Sequence, residues 1–309
     1  MKLQENVHKI QLFKNLELLA GQVVEGFING MHKSPFHGFS SEFAEHKIYN
    51  PGESTRYIDW RLFAKTDRLY VKRYEEETNL RCHLIIDNSS SMYYPPIKAQ
   101  DIDHLNKIGF ASLAAAALMN LLKRQRDAVG LSVYSNTYEY YAPEKGSERH
   151  HRMLLNRLEK NLVSSNREKT TKTFTYLHQI AEKIHRRSLI FLFTDMLQSE
   201  TGEKELFEAL RHLKYNKHEV IFFHVMDKEK EFHFDFDDRP KRFVDIETGE
   251  HVNLYAHSIK SEYQQATKRF FEELHLTCAQ YGIKYVEADI AGGINRILLT
   301  YLIERQKFL

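Results

Sequence analysis

In the run LIIDNSSSM, Leu84 to Met92, an apolar stretch stops at Asp87, and Ser89 and Ser91 follow two and four positions later. One carboxylate and two hydroxyls on a short loop form a set of hard oxygen donors. Such a set suits Mg²⁺, with Mn²⁺ or Ca²⁺ as the other fits, better than a transition metal. Asp-x-Ser-x-Ser arises by chance in roughly one chain in ten of this length at average composition. It therefore carries weight only if other parts of the chain bring further oxygens to the same place.

From Leu80 onward the chain reads as strands alternating with helices. Leu84 to Ile86 is a short apolar strand. A helix over about 104–126 is apolar on almost every side between Ile108 and Leu122, which requires burial. Ala128 to Tyr134 and Tyr138 to Ala142 read as strands around a Ser135-Asn136-Thr137 turn, the tyrosine-rich second one at a sheet edge. Ser147 is placed to cap a helix that turns Met153, Leu154 and Leu158 inward and leaves His150 and His151 exposed. Thr175 is placed to cap the next helix, ahead of Leu177, Ile180, Ala181 and Ile184. The strand Ser188 to Phe193 then runs to Asp195. A helix near Glu205 to Lys214, the strand EVIFFHV, a polar aromatic insertion at about 228–256, a helix near 260–281, the strand IKYVEA and a last helix follow. This order predicts a doubly wound, mostly parallel six-stranded α/β sheet flanked by helices over 79–309.

Residues 1–78 precede it as an N-terminal region. An amphipathic helix is expected over about 5–30, on Ile10, Phe13, Leu16, Leu19, Val23, Val24 and Phe27. Short strands are expected at Phe43 to Tyr49 and Leu69 to Glu75, with an Asn50-Pro51-Gly52 turn between them. Arg56, Arg61, Lys65, Arg68, Lys72 and Arg73 interleave with Tyr57, Trp60 and Tyr70, as on a nucleic-acid surface. Asp59, Asp67 and Glu75 to Glu77 lie among or beside them, so internal ion pairs explain the composition and no nucleic-acid partner is expected; a docking surface for a protein partner is the other reading.

In open sheets of this kind ligands bind beyond the carboxyl ends of the strands, at the point where strand order reverses. The first and fourth strands of the sheet are neighbours there, which brings Asp87 and Asp195 to one edge. Thr175 opens on the same edge. Asp87, Ser89, Ser91, Thr175 and Asp195 are thus the candidate metal ligands, with Thr173 or Thr171 of TTKTFTYL as alternatives to Thr175.

This constellation resembles the metal-ion-dependent adhesion site of von Willebrand factor type A domains. The resemblance implies that Ser89, Ser91 and Thr175 bind the ion directly and that Asp87 and Asp195 do so directly or through water. It also implies an open coordination position for a carboxylate from a partner protein. The chain departs from the pattern in lacking small glycines before the threonine. The stretch PGESTRYIDWRLFAKTDRLYVKRYEEE, together with FHVMD, resembles the signature of domain-of-unknown-function family 58. That likeness implies a non-enzymatic interaction module working with a MoxR-type AAA ATPase, or its client, in a chaperone-like or assembly role. Tyr93, Tyr94, Pro95 and Pro96 would form the contact rim.

Two other functions are open to this loop. A metal-dependent phosphotransferase or hydrolase would use Asp87 as nucleophile, but such enzymes place a carboxylate two residues later, where this chain has Ser89. A scaffold with a degenerate, ion-free site is the other. No Walker-type loop and no His-Glu-x-x-His occur, and Asp235, Asp237 and Asp238 lack the glycine and glutamate of a calcium loop. With 44 Lys plus Arg against 42 Asp plus Glu, the chain has no global field favouring nucleic acid or anionic membrane. Cys82 and Cys278 form no CxxC and read as small buried residues of a reducing compartment. MKLQENVHKIQLFKN lacks a secretory pattern and Ile108 to Leu122 is too short to span a bilayer, so a cytoplasmic location without membrane insertion is expected.

Overall fold

The structure, a computed structural model, describes residues 16–30, 43–48, 58–74, 80–96, 105–163, 173–196, 203–246, 249–294 and 297–298. The chain divides into two units, one of residues 36–79 and one of residues 1–35 with 80–309. Helix α1, Leu16–Gly30, thus goes with the unit that holds the large sheet and not with the short strands that follow it. Ile10 and Phe13 of the expected helix lie outside the described residues.

In the smaller unit β1, Phe43–Ile48, pairs antiparallel with β2, Tyr70–Tyr74, and α2, Trp60–Thr66, lies between them in the chain. Asp59 is the N-cap of α2, its carboxylate accepting from the N–H groups of Arg61 and Leu62. Asp67 ends the helix in the left-handed conformation at φ 55°. The two aspartates expected as counter-ions are therefore helix-terminating residues, a use of the short side chain that suits both ends.

The larger unit is built on six strands, β3 (Arg81–Asp87), β4 (Ala128–Tyr134), β5 (Tyr138–Lys145), β6 (Leu189–Thr194), β7 (Glu219–Met226) and β10 (Lys284–Asp289), in the order β10-β7-β6-β3-β4-β5. All neighbours are parallel except β4 and β5. The order reverses between β3 and β6, as the sequence predicts. Their central positions, LIID and LIFLFT, are buried on both faces, which is why the alternation of a half-exposed strand is missing from them.

On one face Ile85, Ile190, Leu192, Val220 and Phe222 pack with Leu177, Ile180 and Ile184 of α5 (Thr173–Lys183), Leu206, Leu210 and Leu213 of α6 (Glu203–Tyr215), and Leu274 and Cys278 of α7 (Ala256–Gln280). Helix α3, Lys107–Arg124, lies against β3, β4 and β7 on the other side and is itself covered by α1 and α4, Glu148–Val163. Leu16, Ala20, Val23 and Val24 of α1 are buried at helical spacing. Being enclosed this way accounts for the all-round apolar character of α3, since each fully buried aliphatic side chain contributes about 1.5–3 kcal/mol.

Three local expectations are corrected. Met153 is 44% exposed while Leu154 and Leu158 are buried, because the inward stripe of α4 is one position narrower than expected. His150 and His151 are buried, not exposed, and His150 Nε2 donates to the Val129 carbonyl at 2.9 Å. The insertion carries order that its polar composition conceals: a five-residue π-helical turn, Lys228–Phe232, and an antiparallel hairpin of β8 (Pro240–Val244) and β9 (His251–Tyr255). Among the described residues no helix is long and apolar enough to cross a membrane.

Candidate functional site

Asp87 closes β3 at the strand-order reversal, and Asp195 follows β6 directly beside it. The loop after β3 is built for position. Asp87 Oδ1 accepts from the Ser89 N–H at 2.9 Å, bending the chain back over the strand end. Ser90–Tyr93 then forms one 3-10 turn, which sets Ser89 Oγ 3.0 Å from Ser91 Oγ. Asn88 anchors the loop laterally, its N–H to the Tyr134 carbonyl and its Nδ2 to Glu139, which Ser135 and Arg157 also hold. Asp87 Oδ2 accepts from Thr194 Oγ1 at 2.7 Å, tying the ends of β3 and β6 together.

Asp87, Ser89 and Asp195 are buried, and Ser91, 8% exposed, is the donor nearest solvent. Burial first, then the adjacent Asp195 carboxylate, pushes the Asp87 carboxyl up to about 7. Thr175 does not cap its helix. It is the third residue of α5, which begins at Thr173, and is half-buried. Thr171 lies outside the described residues. The structure thus gathers Asp87, Ser89, Ser91 and Asp195 at one strand edge, and it records no contact between Thr175 and them. Tyr93, expected on the contact rim, is turned inward, its hydroxyl within 2.8 Å of Asn88 Oδ1 and 2.9 Å of the Asn161 carbonyl.

Lys107, Glu231 and His224 complete the site and escaped the sequence reading. Lys107, the first residue of α3, is 0% exposed and its Nζ donates to Asp195 Oδ2 at 2.7 Å and Glu231 Oε1 at 2.5 Å. Burial alone would lower its pKa; Asp195 and Glu231 outweigh that and hold the ammonium above the ordinary lysine range. Glu231 is raised by burial. His224 Nε2 donates to the Asp195 carbonyl at 2.9 Å, and burial pushes this imidazole down to about 4, so it is neutral at pH 7. A signal for Lys107 was present: a lysine heads an otherwise apolar helix, at the end where the macrodipole disfavours a cation.

The donor set fits a hard divalent ion. Lys107 pairs with Asp195 and Glu231, and the Asp87 carboxyl beside Asp195 responds to burial and to that neighbour by holding its proton more tightly. A divalent cation beside these carboxyl groups would favour their ionised forms. Among the described residues no group of three His, Cys, Asp or Glu side chains is assembled for a metal.

A second constellation lies deeper in the same sheet. His83 Nδ1 is 2.7 Å from Glu144 Oε1 and its Nε2 is 2.7 Å from Ser132 Oγ, the spacing of a Ser-His-acid triad. Ser132 and His83 have no exposed surface and Tyr141 stacks on the imidazole, so no substrate reaches the hydroxyl. A cleft of about 670 Å³ between α1, α3 and α4, lined by Glu17, Gln22, Glu25, Asn120, Arg124 and Glu159 among others, shares no residue with either cluster.

The fold and the loop define a von Willebrand factor type A-like α/β protein with a small N-terminal β unit. The chain belongs to the family described as protein of unknown function DUF58, which matches residues 45–272. Uncharacterized proteins of Mycobacterium bovis and Mycobacterium tuberculosis are each 25% identical over 142 residues, 46% of this chain and 43% of theirs. The chain thus spans under half the length of the curated relatives it matches. Similar solved structures include conserved hypothetical protein BatB from Bacteroides thetaiotaomicron, 15% identical over 74% of this chain and 100% of that one, with TM-score 0.41. The SpRpn10 VWA domain is 12% identical over 48% of this chain and 76% of its own, with TM-score 0.33.

Proposed function

We propose that this protein is a non-enzymatic interaction module whose contact is a divalent cation, Mg²⁺ first, held by Asp87, Ser89, Ser91 and Asp195 with Thr175 or a neighbouring threonine. The observation that carries the proposal is the pair of hydroxyls 3.0 Å apart beside a wholly buried carboxyl group, Asp87, that has the Asp195 carboxylate as its neighbour. When bound, the ion supplies a Lewis-acidic position for an oxygen ligand, and an acidic side chain of a partner is its natural occupant. This chain's residues do the rest. Ser89 and Thr194 orient Asp87, Lys107 and His224 hold Asp195, and Ser91 leads to the surface. On this reading the partner is a MoxR-type AAA ATPase or its client, which the resemblance of the chain to its family supports.

Catalysis at Asp87 is disfavoured by the same geometry. The carboxylate is enclosed, both of its oxygens accept hydrogen bonds, and no acid stands at position 89 to protonate a leaving group. Isothermal titration with Mg²⁺ tests the proposal. Saturable binding by the native chain, lost in Asp87→Ala, is expected; equal heats, or none in either, would remove the cation from the function. Affinity purification with and without EDTA then tests whether the partner depends on the ion.

A further inference from the structure

One ammonium serves two carboxylates that come from different parts of the fold. Asp195 belongs to the strand edge of the candidate site, whereas Glu231 belongs to the π-helical turn that opens the insertion. That turn consists otherwise of exposed or half-exposed charged and aromatic residues, and solubility would send a glutamate outward. Glu231 points inward and is fixed at several atoms. Its Oε2 accepts from the Asp227 N–H at 2.8 Å, its N–H donates to the Asp227 carbonyl at 2.7 Å, and its carbonyl accepts from Tyr263 Oη at 3.0 Å. Asp227 in turn caps the turn through the Lys230 N–H at 3.2 Å.

We infer that Lys107 is a positioning residue of the candidate cation site and Glu231 is its latch: a single buried ammonium couples occupancy of the site to the docking of residues 228–232. The inference rests on the proposed cation reading of Asp87, Ser89, Ser91 and Asp195. An ion that draws on the charge of Asp195 weakens the Lys107 to Asp195 attraction, and the ammonium turns to Glu231, tightening the turn. Without the Glu231 carboxylate, Lys107 leans wholly on Asp195 and its charge opposes the incoming ion. The coupling is reciprocal, so each end reports the other.

Hydrogen-exchange mass spectrometry on the full chain, in EDTA and in excess Mg²⁺, tests this alongside Mg²⁺ titration. In the native chain Mg²⁺ is expected to slow exchange over 227–236. Glu231→Gln is expected to bind Mg²⁺ about tenfold more weakly and to lose that response. Native-like affinity in Glu231→Gln, or a turn indifferent to Mg²⁺ in a native chain that binds it, overturns the inference. If the native chain binds no Mg²⁺, the cation reading falls by itself and the EDTA arm still decides whether the ammonium is shared. There Asp195→Asn should change exchange over 227–236 by about twofold or more, and no change overturns the coupling. Should Asp195→Asn fail to fold, Glu231→Gln, whose parent side chain is 14% exposed, is scored at the other end. Slower exchange over 189–196, where Lys107 now leans wholly on Asp195, supports the coupling, and native or faster exchange there refutes it.

Discussion

Strands β3 and β4 carry two buried polar clusters, and the two are balanced differently. In the body of the sheet, His83 bridges Glu144 and Ser132, giving each ring nitrogen one partner and closing the network on itself. At the carboxyl edge, Asp195 and Glu231 share Lys107, the Asp87 carboxyl lies beside Asp195, and the Ser89 and Ser91 hydroxyls stand 3.0 Å apart. The first cluster is a satisfied network of the kind that stabilises a unique packing. The second crowds carboxyl groups together, and burial with the neighbouring Asp195 raises Asp87 in response. Such strained carboxyls are costly and cluster at functional sites.

The largest effect that tests this contrast is the loss of the buried Lys107 ammonium at the edge. Lys107→Met leaves Asp195 and Glu231 enclosed without their ammonium, and breaking such a pair costs about 3–5 kcal/mol. Urea unfolding at pH 7 is expected to show that loss in the absence of Mg²⁺. A variant as stable as the native chain would mean the edge cluster is no more strained than the inner one.

Next in size is a change that should stabilise. The folded Asp87 carboxyl stands at about 7, against 3.8 for a free aspartate. The folded state therefore binds a proton more tightly than the unfolded one. The corresponding stability is fully present below about pH 4 and is lost as pH rises through about 7. Asp87→Asn removes that loss. In EDTA at pH 8 it is expected to unfold at a higher temperature than the native chain, by on the order of 3 kcal/mol. His224, held at about 4, works in the opposite sense: its contribution is present above about pH 6.5 and is lost as pH falls toward 4. Thermal scans across pH 4–8 separate the two, since Asp87→Asn flattens only the fall in stability between about pH 4 and pH 7. An unchanged alkaline loss in that variant would show that Asp87 is not the strained group.

How much of this was legible depended on whether the cause was local. The strand order and the meeting of Asp87 with Asp195 followed from apolar runs bounded by helices, because burial on both faces leaves its mark in the residues themselves. Thr175 was misplaced as a cap because TTKTFTYL offers several threonines at which the helix could start, and propensity does not choose among them. Lys107 and Glu231 lie 124 residues apart, so their pairing leaves no local pattern. Only the odd placement of a lysine at the head of an apolar helix hinted at it. The β8–β9 hairpin was missed because its strands face solvent and lack the apolar alternation that marks a half-buried strand.

The smallest effect probes the inner cluster. Gly130 on β4 sits under the His83 ring, and a Cβ there would lie 2.5 Å from Nδ1 and 2.9 Å from the Ala142 carbonyl oxygen. The carbonyl belongs to the neighbouring strand and cannot swing away, so Gly130→Ala must push the imidazole off Glu144 or open β4 from β5. Overpacking of this kind costs about 1–3 kcal/mol. Denaturant unfolding should register it, while Mg²⁺ affinity stays native, because the network that is disturbed shares no hydrogen bond with Asp87. A Gly130→Ala chain that loses Mg²⁺ affinity in proportion to stability would join the two clusters into one, and the inner network would then be part of the site that it only underlies here.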